Sequence, residues 1–287
     1  MMRISEPGNL IVLLAAASAL FAQSDDFPVK SQNRSSIPDV RQIVESSIAA
    51  THRHWQARRQ YTYVERDQDR RLDSAGLVKS EEVDVSKTIL VNGVPFEQLL
   101  ERSGQPLSAE EERKQKEKLD KLSRETPDQR AGRLRKQEEE DTSLVREVPK
   151  AFDFQLVGED VVNGRPAYVL QATPHAGYHA QGKYGKMFPN LEGKLWVDKQ
   201  DLGWIKADGQ VIQPFSMGLF LAQVLRGSHI TMEQTCVNGT WMPERVQVRA
   251  AAKIFFVKSL VIDRILTYSE YRLPEAGLRA TKDPLIR

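Results

Sequence analysis

The stretch from Phe152 to Tyr271 places the tightest limit on what this chain can fold into. Short runs rich in Val, Ile, Tyr, Phe and Trp alternate with polar residues there, with the period of a half-buried strand. Two of the chain's three Asn-Gly pairs, Asn163-Gly164 and Asn238-Gly239, fall inside it. Asn-Gly is the strongest short hairpin signal, because both residues accept the positive φ that a two-residue turn requires. Segments 152–162 and 165–173 are therefore expected to pair across the first turn, and 227–236 with 241–250 across the second. Segments 194–197 and 204–211 read as strands joined by a turn at 198–203. Segment 212–225 is ambiguous. Pro214 breaks the pattern, and the apolar run of Phe215, Met217, Leu219, Phe220, Leu221, Val224 and Leu225 fits a short helix or a strand. Segment 253–272 closes the run as one long strand or as two joined by a bulge. No crossover helices separate these strands, which argues against a parallel sheet and for an antiparallel meander.

The earlier chain supplies what such a sheet packs on. Pro38 is expected to open a helix over 38–55, with Val40, Ile43, Val44, Ile48 and His52 at helical spacing. That stripe must be buried, and lying against the sheet is the economical solution. Strands follow from Tyr61. Val83, Val85, Ile89 and Val91 are expected to line one face of a long strand that Lys87 interrupts. Asn92-Gly93 turns the chain into 95–100, where Pro95 suggests an edge strand. Then comes a charge-dense insertion, 108–141. Ser108 with Glu111, and Thr126 with Pro127 and Gln129, form two capping boxes, so helices are expected at about 109–125 and 127–141. Their apolar residues are sparse, which suits a solvated helical arm over one end of the sheet, or a lid or docking element.

Composition excludes some classes of function. The 41 basic and 39 acidic residues leave a net charge of +2, too small to steer the chain to nucleic acid. Residues 1–22 read as a secretory signal. Arg3 lies in the leading region, Leu10 to Ala22 is an apolar run too short to span a bilayer, and cleavage fits after Ala19 or after Ala22. The alternative is an uncleaved anchor. Residues 23–36 read as a disordered linker and 273–287 as a C-terminal tail. Cys236 is the single cysteine, so no internal disulfide is possible, and no cysteine near the signal offers a lipidation site. Export to the periplasm or beyond, with transient membrane contact at most, is the expected localisation.

Patterns that would support chemistry are missing. His175 and His179 have the i, i+4 spacing of a helical metal pair, but the residues between them are Ala-Gly-Tyr in a Gly-rich loop, with no base and no third ligand. Gly177, Gly182 and Gly185 lack the strand–loop–helix context of a phosphate cradle. There is no Gly-x-Ser-x-Gly elbow. Adjacent acids such as Glu81 and Glu82 face opposite ways on a strand. No catalytic residue, metal ligand or cofactor is assigned, and the chain is read as non-enzymatic. What remains is apolar surface. Trp196, Trp204, Phe215, Met217, Phe220 and Leu221 are the candidates for lining a ligand cavity on the sheet's concave face; the competing reading is ordinary core beneath the helix at 38–55.

The pattern resembles the bacterial lipoprotein-carrier fold, LolA/LolB-like, and the related N-terminal domain of the RseB/MucB envelope-stress regulators. The resemblance is carried by Asn163-Gly164-Arg165-Pro166-Ala167-Tyr168-Val169-Leu170, by Leu195-Trp196-Val197-Asp198 with Gly203-Trp204-Ile205-Lys206, by Asn238-Gly239-Thr240-Trp241-Met242-Pro243, and by Tyr268-Ser269-Glu270-Tyr271. It implies an α+β fold, a curved antiparallel β-sheet forming an unclosed half-barrel over helices, with an apolar cavity for acyl chains. On this reading 37–272 is one half-barrel domain with a charged helical insertion at 108–141. The insertion has no known counterpart in the carriers, and their functional arginine falls on no residue here, so no site residue is carried over. The expected function is binding of a lipid, acyl chain or lipidated protein; the alternative is an envelope scaffold whose charged helices dock a protein partner.

Overall fold

The computed structural model describes residues 39–73, 75–179, 185–217, 222–254 and 258–274. The expected signal and linker, Pro38, Phe220, Leu221, Phe255, Phe256 and the tail beyond 274 lie outside the described residues. Three α-helices are described: α1 (Val40–Arg58), α2 (Ala109–Ser123) and α3 (Pro127–Ala151). The strands are β1 (Thr62–Leu72), β2 (Val78–Val91), β3 (Val94–Arg102), β4 (Gln105–Pro106), β5 (Phe152–Val162), β6 (Arg165–Pro174), β7 (Leu191–Asp198), β8 (Trp204–Val211), β9 (Phe215–Met217), β10 (Ala222–Val224), β11 (His229–Val237), β12 (Thr240–Ile254) and β13 (Lys258–Arg272).

These strands form one sheet in the order β4-β3-β2-β1-β13-β12-β11-β8-β7-β6-β5, with the β9–β10 hairpin attached to β12. Every pairing is antiparallel, and β3–β4 and β5 stay unjoined, so the sheet is an open, curved half-barrel of the α+β class. Its two meanders, β1–β4 and β5–β13, meet along the β1–β13 seam. All three Asn-Gly pairs turn as expected, with φ near +51° at each Asn and near +77° at each Gly, the mirror-image turn whose twist suits a hairpin. The ambiguous 212–225 segment is the β9–β10 hairpin. The closing segment belongs to two paired strands, because β12 continues to Ile254 and β13 begins at Lys258.

The leading helix starts and stops later than its pattern suggested. Asp39, rather than Pro38, caps α1 by accepting the Arg41 N–H at 3.0 Å, and the helix runs on past residue 55 to Arg58. Its stripe of Ile43, Val44, Ser47 and Ala50 is buried against the sheet, where Trp204 donates its indole N–H to Ser47 Oγ at 3.0 Å. Both capping boxes of the insertion form. Helix α2 buries nothing and lies beside the sheet edge. The Gln115 amide donates to Leu99 C=O at 2.8 Å and accepts Leu99 N–H at 2.7 Å, so a helix side chain satisfies a free backbone edge that would otherwise invite another strand. Helix α3 does not end near 141. It continues through Pro149 to Ala151, because Val148 and Ala151 are buried in the main core with Ile43 and Val44. A proline in the last turn removes one backbone donor, and that core burial offsets the loss.

The apolar face expected for β2 is not the one that faces the core. Ser86 and Thr88 are buried, whereas Lys87 is exposed and Val85 only partly covered. The register explains this. Tyr63 sits opposite Thr88, and Glu65 lies opposite both Ser86 and Tyr268. Tyr63 and Tyr268 pack on the main core, so their face is the inner one, and period-2 alternation carries Ser86 and Thr88 inward with them.

Candidate functional site

The inner face divides into two parts. From β5 to β13 it is apolar: Leu170, Leu195, Val197, Trp204, Ala207, Ile230, Met232, Val246 and Leu266 are buried against α1 and the end of α3. Across the seam, the inner face of β1–β3 is polar. Successive inward positions of β1 carry Tyr63, Glu65, Asp67 and Asp69, with Ser86 and Thr88 beside them on β2 and Glu97 on β3 opposite Thr88. From β13 come Arg264, Tyr268 and Tyr271. A positive φ of 56° at Glu270 marks the irregularity next to Tyr271, and the Tyr271 ring lies 5.5 Å from that of Tyr63.

The contacts in this polar end are specific. Arg264 grips Asp67 with two hydrogen bonds, Nε donating at 2.7 Å and Nη2 to the second oxygen. Tyr63 and Tyr268 meet edge to face at 6.0 Å. Tyr271 donates its hydroxyl to Pro243 C=O, and Arg58, at the end of α1, donates to Trp241 C=O and Gln234. Tyr268 Oη is buried beside Glu65 without completing a hydrogen bond of ordinary geometry, and Asp69 Oδ1 is likewise buried without a partner.

Burial governs the electrostatics. Glu65 is 5% exposed; desolvation, with the nearby charges of Glu97 and Asp67, pushes its pKa up to about 8 against a smaller opposing pull from Arg264. Most of it is therefore protonated at neutral pH. Desolvation also lifts Tyr63 to about 12 and raises Tyr268 and Tyr271. Desolvation lowers Arg58 to about 10, which leaves it charged at neutral pH. Desolvation also pushes Glu97 up, against a hydrogen bond from Ser86, although the residue keeps enough exposed surface for solvent to reach this end of the concavity.

The residues chosen from sequence as a cavity lining do not share one surface. Trp204 is buried under α1. Trp196 points to the opposite face, where its indole N–H donates to Asp160 at 2.9 Å and Lys206 lies 5.4 Å from its ring. A register shift at Trp196–Val197, opposite 204–206, separates the two tryptophans. Phe215 is half-buried at the margin of the main core. Met217 ends β9, its side chain outside the described residues, as are Phe220 and Leu221. The other motif residues build a knot on the outer face. Arg165 holds the fully buried Asp198 at 2.7 and 2.9 Å, Asp201 accepts the Trp241 indole N–H, and Gly203 lies so close to that indole that a Cβ would fall 2.1 Å from it. Cys236 packs beside this second cluster.

His175 and His179 line a hollow of about 520 Å³ with Glu147, Lys150, Gly177 and Tyr178. There His175 Nδ1 is 2.9 Å from Asp153 and Tyr178 donates to Glu147. Among the described residues, no group of three or more His, Cys, Asp or Glu converges to hold a metal, and no helix is long and apolar enough to cross a membrane.

Sequence reasoning missed the polar end, although a signal was present. Tyr63, Glu65, Asp67 and Asp69 alternate with Val64, Arg66, Gln68 and Arg70, so acids occupy one face of the strand and bases the other.

No family model matches the sequence, and no curated protein matches it. Solved structures that resemble the chain include a DUF1329 family protein from Desulfovibrio piger, 14% identical over 82% of this chain and 94% of that one, with a TM-score of 0.28. A LolA superfamily protein from Nitrosomonas europaea is 12% identical over 81% and 92%, with a TM-score of 0.27. The MucA/MucB complex of Pseudomonas aeruginosa includes a chain 12% identical over 79% and 94%, with a TM-score of 0.23. The fold itself is defined by the strand order and helix placement described above.

Proposed function

We propose that this protein is an exported, non-enzymatic binding scaffold of the cell envelope, and that the polar end of its inner face receives a protein partner. One observation carries this reading. In the apolar part of the inner face the described side chains are packed under α1 and α3, while the part across the β1–β13 seam is polar and open to solvent at Glu97. A surface built to hold an acyl chain leaves apolar wall uncovered; here α1 covers it. The charged α2 stands beside the open end, where a docking element belongs. Replacing Glu97 by a photo-crosslinking residue tests the reading in the producing cell. A discrete cross-linked protein band is expected, one that a crosslinker at exposed Glu117 on α2 does not give. Equal cross-linking at both positions, or none at Glu97, overturns it.

Carriage of a lipid or lipidated protein is the second reading, favoured by the half-burial of Phe215 and Val224 at the margin of the core, on the hairpin that leads into Phe220 and Leu221. Native mass spectrometry of protein prepared from membranes decides it. Stoichiometric co-purifying lipid or acylated peptide supports the carrier, and its consistent absence removes it.

A further inference from the structure

We propose that the polar end of the inner face is a receptor for an organic cation, the ammonium of a lysine or the guanidinium of an arginine presented by a protein partner. The proposal rests on the scaffold reading and specifies its chemistry. Four carboxyl groups gather here, Glu65, Asp67 and Asp69 on one face of β1 and Glu97 on β3. The cations that face them are largely occupied or peripheral. Arg264 is bound to Asp67 by both arms of its guanidinium, and Arg58 is bound to Trp241 C=O and Gln234. Arg71, near Asp69, and Lys118, near Glu97, are exposed. With Asp67 taken by Arg264, Asp69 and Glu97 are the carboxylates here that hold no close ion pair.

Two orphaned groups point the same way. Tyr268 is 7% exposed and its hydroxyl, beside Glu65, completes no hydrogen bond of ordinary geometry; the buried Asp69 Oδ1 likewise has no donor among the described residues. Unmade hydrogen bonds at buried polar atoms are costly, so a donor-rich ligand finds acceptors already desolvated. The rings of Tyr63, Tyr268 and Tyr271, packed at 6.0 and 5.5 Å, add a π surface that attracts an organic cation. The carboxylates do not converge in the manner of a metal site. The rim bears Glu97 and Lys118, a charged margin suited to a peptide rather than to acyl chains below a lipid headgroup. Glu97 is the exposed member of the group and Glu65 the buried one. A bound cation favours the ionised form of Glu65, so binding at neutral pH releases a proton.

Titration calorimetry of the full chain with three peptides tests this: acetyl-Gly-Gly-Lys-Gly-Gly-amide, its arginine counterpart and its norleucine counterpart. The lysine and arginine peptides are expected to bind, with the heat at pH 7 differing between phosphate and Tris as proton release requires, and the norleucine peptide is not. Glu65→Gln and Glu97→Gln are each expected to weaken binding about tenfold or more, the size of one lost charge-assisted contact, while Glu117→Gln on α2 leaves it unchanged. Glu97 is exposed and its variant keeps the fold intact, and the melting temperature of Glu65→Gln separates lost binding from lost folding. Equal binding of the norleucine peptide, binding insensitive to both Glu substitutions, or binding only to phosphatidylethanolamine vesicles overturns the proposal. If these fail while cross-linking from position 97 still captures a discrete partner, the scaffold reading stands and the cation site falls.

Discussion

The two parts of the inner face use the same strands and the same alternation, yet they are stabilised in different ways. From β5 to β13 the inward positions are aliphatic or aromatic and α1 seals them, so the part is dry and held by burial and packing. Across the seam the inward positions are Tyr, Glu, Asp, Ser and Thr, tied by a bidentate ion pair and ring contacts, with one carboxyl protonated because it is buried. A buried polar network of this kind is weak evidence for stability. The difference teaches that one sheet can carry an apolar, sealed face and a polar, ion-paired one on either side of a single seam.

The contrast can be tested most severely in the dry part. Trp204→Ala removes a buried indole and leaves Ser47 without its donor, and should destabilise by about 3–5 kcal/mol in denaturant unfolding. A loss under about 1 kcal/mol would mean that this part is no better packed than the other. The polar part should respond in the opposite direction. Because the folded pKa of Glu65 lies above its unfolded value, its contribution to stability is fully present below about pH 4.5 and is lost as pH rises through about 8. Glu65→Gln should remove that dependence and stabilise the protein above pH 8 by a few kcal/mol, since each tenfold difference in proton affinity between the folded and unfolded chain is worth about 1.4 kcal/mol. Unfolding curves across pH 4–9 check both the slope and its disappearance. The smallest effect belongs to the edge. Gln115→Ala frees the Leu99 backbone of β3 and should cost under about 1 kcal/mol, but raise self-association at high concentration, seen by light scattering.

The features legible in the sequence are those whose causes are local. The Asn-Gly turns need only two residues that tolerate positive φ, and the capping boxes need only Ser108 with Glu111 and Thr126 with Gln129. The antiparallel meander follows from such turns. What could not be read depends on distant partners. Which side of β2 faces inward is decided by Tyr63 and by Tyr268 on β13. Both faces of β1 carry charge, so alternation marks two faces without saying which is inner. Trp196 and Trp204 face opposite ways because of a register shift beside an intervening turn, where counting by twos fails. Helix α3 passes the break that Pro149 suggests because Val148 and Ala151 find α1 to pack on.

The seam between β1 and β13 also bears on the order of events as the chain folds. Asp67 and Arg264, joined across it, are 197 residues apart in sequence. Within β5–β13 paired strands are at most a few tens of residues apart in sequence, whereas β1 must wait for the last strand to be made. Until then β1–β4 have no mate along the β1 edge, and the inward carboxylates remain in water. The polar end is therefore assembled only when the final strand has docked, and because Leu266 and Tyr268 of that strand also sit in the main core, the same step closes the apolar part.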